Sequence, residues 1–183
     1  MAVVTVAVPN YRWSVESFVR AWEAGAFEQR VELIDGEVWP VVIGDWHGRT
    51  VGRVMRLLFA DGFDVTTSTL PSGGSLPDPD CWVRRADASP AGRLSPRLSY
   101  WRPADVLLVV EVSDETHAAD LTVKARIYAA AGWPEYWVVA QDGIHVHTDP
   151  AESGYANRRS YRCGERVPVR YAGVEAAVAD LIG

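Results

Sequence analysis

An acid closes an otherwise apolar run in this sequence: Val106-Leu107-Leu108-Val109-Val110 leads into Glu111, Val112 and Ser113. A continuous β-branched stretch of that kind reads as a strand buried on both faces of a sheet, so Glu111 starts inside the protein. A buried carboxylate without a partner costs several kcal/mol or takes up a proton, and therefore needs a partner, a metal ion or a chemical task. Downstream lies Asp120-Leu121-Thr122-Val123-Lys124. Lys124 borders the apolar helical stripe of Leu121, Ala125 and Tyr128, so it can turn inward toward the end of the strand. It can also form a surface ion pair with Asp120 at i, i+4, worth a few tenths of a kcal/mol. Asp80, between Pro79 and Cys81-Trp82-Val83, either opens a strand at the sheet rim or caps an Asp-Pro-Asp turn, and Asp78 competes with it for the same role. Glu32 sits in Val31-Glu32-Leu33-Ile34, where strand alternation could also point it to water. Together these three acids and the lysine suit one chemistry. Two carboxylates hold a hard divalent cation through oxygen, and an ammonium meets a developing negative charge.

The elements that must position these groups follow from periodicity and turn residues. Ser14 reads as the N-cap of a helix bearing Val15, Phe18, Val19 and Trp22, ended by Gly25 in the left-handed conformation. Val31 to Trp39 reads as a hairpin through Asp35-Gly36, a dipeptide that accepts the positive φ of a tight turn. A helix is expected from about Asp45 to Phe59, with Val51, Val54, Met55 and Leu58 on one face, then a strand over residues 64–69. Leu70 to Ser75 reads as a loop, Cys81-Trp82-Val83 as a strand, and the Ser, Pro, Arg and Ala-rich stretch from Arg84 to Pro103 as one long loop. Then come the strand ending at Glu111, a helix from about Ala118 to Ala131 closed by Gly132, and a strand at Tyr136-Trp137-Val138-Val139. Strand, helix and strand of this size form a crossover unit with a parallel pair. Asp142-Gly143 turns into Ile144 to His147, and short segments lead to a final helix near Val174 to Ile182.

At this point the order of motifs resembles a known family. Glu32-Leu33-Ile34-Asp35-Gly36-Glu37, His47 at the opening of a helix, Pro79-Asp80, Val109-Val110-Glu111-Val112-Ser113, Asp120 with Lys124, and Tyr128 through Trp137 resemble the Uma-type family of putative restriction endonucleases, in the PD-(D/E)xK nuclease superfamily. The resemblance runs from about Ser14 to Ile182. It implies an α/β fold with a restriction-endonuclease-like core, a mixed, partly parallel sheet flanked by helices. It also implies a Mg²⁺-dependent endonuclease acting on DNA, with Mn²⁺ able to substitute. Asp80 and Glu111 would bind the metal, the carbonyl of Val112 would add a ligand, and Glu32 would be an accessory acid. The superfamily's usual lysine, two residues after the acid, is replaced here by Ser113, so the resemblance moves that role to Lys124. His47 would position phosphate or cap its helix. The stretch after Glu111, Val112-Ser113-Asp114-Glu115, departs from the family's longer Glu-Val-x-Ser-Pro pattern. By analogy with duplex symmetry a homodimer is expected.

Composition sets bounds on these readings. With 183 residues, 48% of them apolar, there is material for one core, and a single domain over residues 1–183 is expected. Residues 1–10 lack both a basic start and a long helical apolar stretch, which reads as neither signal peptide nor membrane span and points to the cytoplasm. A net charge of −6 argues against a protein that coats nucleic acid, but not against local positive patches such as Arg84-Arg85, Arg93, Arg97 and Arg102, or Arg158-Arg159. Cys81 and Cys163 have no metal or redox spacing and read as packed thiols. His145 and His147 share a strand face that zinc could use, without further ligands to complete a site. Of the eight tryptophans, Trp22, Trp82 and Trp137 read as core, and Trp46, Trp101 or Trp133 as possible surface platforms. The alternative to catalysis is a nuclease-fold binding or scaffold protein, its acids held by arginines and without metal.

Overall fold

A computed structural model describes residues 11–114 and 117–183; residues 1–10, read above as neither signal nor span, lie outside the described residues, as does Glu115. Helix α1 (Val15–Glu23) begins at Ser14, whose hydroxyl accepts from the Ser17 N–H while the Ser17 side chain reaches back to the cap, and Gly25 follows at φ +71°. Strands β1 (Val31–Ile34) and β2 (Glu37–Pro40) pair antiparallel around Asp35 and Gly36, both at positive φ as the hairpin turn demands. Helix α2 (Asp45–Leu58) buries Val54 and Leu58. Its N-cap is Gly44, so His47 is the third helical residue and does not cap it.

The central sheet is built from β3 (Phe63–Thr66), β4 (Cys81–Arg85), β7 (Val106–Ser113), β8 (Glu135–Ala140), β9 (Gly143–Ala151) and β10 (Gly154–Tyr161). Its spatial order is β10-β9-β8-β7-β4-β3, and only β7 and β8 run parallel. The crossover joining that pair is an irregular helix, α3 (residues 117–130), with an α-helical turn His117–Ala119, a π-helical turn Asp120–Lys124 and an α-helical end Ala125–Ala130. Two elements differ from the sequence expectation. The Arg84 to Pro103 stretch is not a plain loop: it carries the hairpin β5 (Gly92–Ser95) and β6 (Leu98–Tyr100), whose Leu98 is buried against Phe18 and Leu33 of the α1–β1 cluster. The end of the chain is not one helix: β11 (Arg166–Val169) pairs with β12 (Val174–Ala177), and only Val178–Ile182 is helical (α4), because Val167, Val169 and Ala176 alternate into the core at period two.

The two faces of β7 are covered by different layers. Leu108, Val110 and Val112 point to the α2 and α4 side, packed with Val54, Leu58, Val139 and Leu181. Val109 points to the α3 side, with Tyr128, Tyr136, Val138 and Trp82. Alternation sends Glu111 to that second side too, under α3. Of the sequence-read side chains, Cys81 is buried but Cys163 is exposed, so only the first is a packed thiol. Trp133 is no surface platform: it is buried, and its indole N–H donates to Ser72 Oγ at 2.8 Å. Among the described residues no helix is long and apolar enough to cross a membrane.

Candidate active site

Four of the residues singled out in the sequence converge. The ammonium of Lys124 lies 2.9 Å from Glu32 Oε1, 3.1 Å from Glu111 Oε1 and 3.6 Å from Asp120 Oδ1. All four side chains are at most 9% exposed. Lys124 and Asp120 are thus no surface pair, and Glu32 does not face water. The π turn accounts for this placement. The Ala125 N–H donates to the Asp120 carbonyl, an i→i+5 bond that widens the helix, and the Tyr136 hydroxyl donates to the same carbonyl at 3.1 Å. Lys124 and Tyr128, one turn apart, then both reach the same oxygen, since the Tyr128 hydroxyl donates to Glu111 Oε1 at 2.7 Å. The sequence places Tyr128 in an apolar stripe and in the family-like motif running to Trp137, without a role at the acid site. Its position i+4 from Lys124 was the available signal for a second donor.

Asp80 stands at the neighbouring wall, where its Oδ2 accepts from the Val112 backbone N–H at 2.7 Å and lies 3.0 Å from His47 Nε2. The strand that carries Glu111 therefore also orients Asp80 through the next residue. Asp78 is engaged elsewhere: its Oδ2 pairs with Arg30 Nε at 2.6 Å, and its backbone N–H donates to Glu32 Oε2 at 3.1 Å. Glu32, Asp80, Glu111, Lys124, His47 and Val112 line one cavity of about 220 Å³. Ser113, where the superfamily's lysine would stand, is buried.

The carboxylate oxygens are used unevenly. Both oxygens of Glu32 are taken, one by Lys124 and one by the Asp78 N–H. The hydrogen bonds to Glu111 all end on Oε1 and those to Asp80 all end on Oδ2, so among the described residues Glu111 Oε2 and Asp80 Oδ1 carry none. Burial pushes the Glu111 carboxyl well above its ordinary range. Lys124 opposes that shift, while Asp120, Asp80 and Glu32 add to it. The three acids outweigh burial for Lys124 and hold its ammonium above its ordinary value, so it stays charged at neutral pH. Acids in excess of the one ammonium leave a negative site with two uncommitted hard oxygens. That donor set fits a divalent cation of the Mg²⁺ type, which takes one or two carboxylates and keeps several waters. Among the described residues no group of three His, Cys, Asp or Glu forms a ready metal cage, so these two oxygens would leave most of the ion's coordination to water.

The remaining candidates are structural. His147 is packed against Tyr136 and Tyr155, and burial, with Arg158 and His145 nearby, lowers its pKa to about 4. His145 lies 2.8 Å from Ser160 Oγ and 3.3 Å from Asp142. Neither Asp80 nor Glu111 is paired with an arginine among the described residues, unlike the acids of a scaffold held by arginines.

Comparison with known proteins agrees with this architecture. No curated protein matches the chain. Among solved structures, a protein of Anabaena variabilis ATCC 29413, described as a putative nuclease belonging to DUF820, superposes with a TM-score of 0.64 at 11% identity. The match covers 92% of this chain and 97% of that one, a likeness of fold. The model of the Uma2 family, whose description is "Putative restriction endonuclease", matches residues 15–179, and this chain belongs to that family.

Proposed function

We propose that the protein is a divalent-metal-dependent endonuclease that hydrolyses phosphodiester bonds in DNA, with the cavity around Glu111 as its active site. The observation that carries this reading is the convergence of Lys124, Glu32 and Glu111, with Asp80 at the adjoining wall and, among the described residues, one oxygen on each of Asp80 and Glu111 that accepts no hydrogen bond. Asp80 and Glu111 are the residues to hold Mg²⁺ or Mn²⁺, with the carbonyl of Val112 as a further ligand. A bound divalent ion of this kind acidifies water into a nucleophile and neutralises phosphate charge.

The chain's own residues do the rest. Lys124 presents a permanent positive charge to the phosphate oxygens as charge builds there. Glu32 and Asp120 hold that ammonium in place from below. Tyr128 fixes the rotamer of Glu111, and His47 with the Val112 N–H fixes that of Asp80, so both acids present their unused oxygens in a set geometry. Two strands of a duplex call for two such sites, and a homodimer is the simplest way to supply them.

The test has a binding arm and an activity arm. With Mn²⁺ at a hundredfold excess over its Kd, the wild type gains about 2.7 kcal/mol of stability, read as a rise in the thermal midpoint. Asp80→Asn and Glu111→Gln lose that rise, and neither nicks supercoiled plasmid. A midpoint indifferent to Mn²⁺, or cleavage by Glu111→Gln at the wild-type rate, refutes the assignment.

A further inference from the structure

Beside the acid cavity lies a second, more open groove of about 530 Å³, and the two share His47, Asp78 and Asp80 as a common wall. A ligand whose reacting part sits at Glu111 must continue past that wall or away from it. The lining of this groove differs in kind from the acid cavity. The groove is lined by Trp22, with the Arg97 guanidinium 5.0 Å above the indole ring, and by the hydroxyl residues Thr67, Ser68 and Thr69. Arg97 is exposed at the tip of the β5–β6 turn, and its side chain has no carboxylate partner among the described residues. What sets Arg97 apart is its place at the groove, since Arg159 likewise stacks on a ring, Tyr161, without an acid partner among the described residues. Arg30, Arg84, Arg85, Arg102 and Arg126 all pair with acids.

The turn is not a loose one. Leu98, next to Arg97, is buried with Phe18 and Leu33, and the Arg97 N–H donates to Ser95 Oγ at 3.2 Å. The hairpin in the stretch that the sequence presents as loop thus holds a guanidinium without an acid partner over an indole, at a groove that shares a wall with the candidate active site. An arginine stacked on an aromatic ring has its N–H edge left over, and that edge is the one that takes a phosphate in two parallel hydrogen bonds.

We propose that this groove holds the DNA strand flanking the reacting phosphate, with Arg97 clamping one backbone phosphate and the Thr67–Thr69 hydroxyls lining its path. A groove that combines a cation held over an aromatic ring with hydroxyls binds a strand through its backbone and without sequence readout. The ligand's identity as DNA rests on the nuclease reading above.

The experiment measures binding of a fluorescein-labelled oligothymidylate to the full chain by anisotropy across a range of salt, with Ca²⁺ as the divalent ion, and separately measures cleavage with Mn²⁺. Arg97→Ala weakens binding several-fold and lowers the slope of log K against log salt by about 0.7, the value for one phosphate of a single strand. Arg97→Lys keeps most of the slope, since the charge remains. A wild type that binds no oligonucleotide, or an Arg97→Ala protein whose affinity and slope match the wild type, overturns the proposal. The two readings fail separately. Normal cleavage with an Arg97-independent slope removes the groove and leaves the nuclease, whereas an Arg97-dependent slope without any cleavage supports the groove and removes the nuclease.

Discussion

Replacing Lys124 with methionine keeps most of the side chain's apolar stem and removes its charge, and the geometry fixes what should follow. The ammonium touches Glu32 and Glu111 at 2.9 and 3.1 Å in surroundings that are almost dry. At an effective dielectric of about 20, each contact is worth roughly 5 kcal/mol of Coulomb attraction, much of it offset by desolvation of the ammonium and by repulsion among the acids. Breaking such a buried pair from one side costs about 3–5 kcal/mol, because carboxylates are left uncompensated. For a protein of this size that is a fall in Tm of roughly 6–20 °C.

The deficit has a pH dependence of definite sign. Lys124 titrates above its ordinary 10.5 in the folded state, so its contribution is complete and constant between pH 5 and 8. Glu111 titrates above its ordinary 4.5 when folded, so whatever it contributes is full below that value and is lost as pH rises. Without Lys124 its folded value climbs further. The deficit of Lys124→Met should therefore be largest at pH 8 and smaller at pH 5, measured by thermal and urea unfolding. Lys124→Met combined with Glu111→Gln should recover part of it, with a coupling energy of about 0.5–3 kcal/mol. A Tm at pH 8 equal to the wild type, or strict additivity in the double variant, refutes the account of the buried network.

Two further outcomes follow from neighbouring groups. Tyr128→Phe removes the 2.7 Å donor to Glu111, which costs about 1.5–3 kcal/mol in stability and moves the acid limb of any pH–rate profile to higher pH; a superimposable profile argues against Tyr128 as the group that positions Glu111. His147 is held neutral by burial, with a pKa of about 4 against an ordinary 6.5, so the wild type should lose stability as pH falls through that window. His147→Phe should show a shallower loss there, and parallel unfolding curves for the two proteins exclude the histidine as the cause.

Much of this protein is written in local pattern. The apolar run before Glu111, the Ser14 cap, the Asp35-Gly36 turn and the crossover from β7 to β8 are all visible in the sequence, because strand alternation, capping and turn geometry act over a few residues. So was the motif order that led to Asp80, Glu111, Lys124 and Glu32. The hairpin around Arg97 was hidden because Gly, Arg, Ser and Pro give it no strand propensity of its own. Leu98, docked on α1, holds it. The final strand pair was hidden for a similar reason: Val174 to Ala177 can be read at either period, and pairing with Arg166–Val169 decides.

What the chain order alone determined is which residues can meet, and what it could not determine is the state in which they meet. An acid in a buried strand announces a need for compensation, yet only packing shows that Lys124 supplies it, that a π turn rather than a regular helix aims it, and that, among the described residues, Glu32 spends both oxygens while Asp80 and Glu111 each keep one. Those facts depend on distances between segments remote in sequence, and the energy of a charge depends on the dielectric and partners that only the closed structure provides.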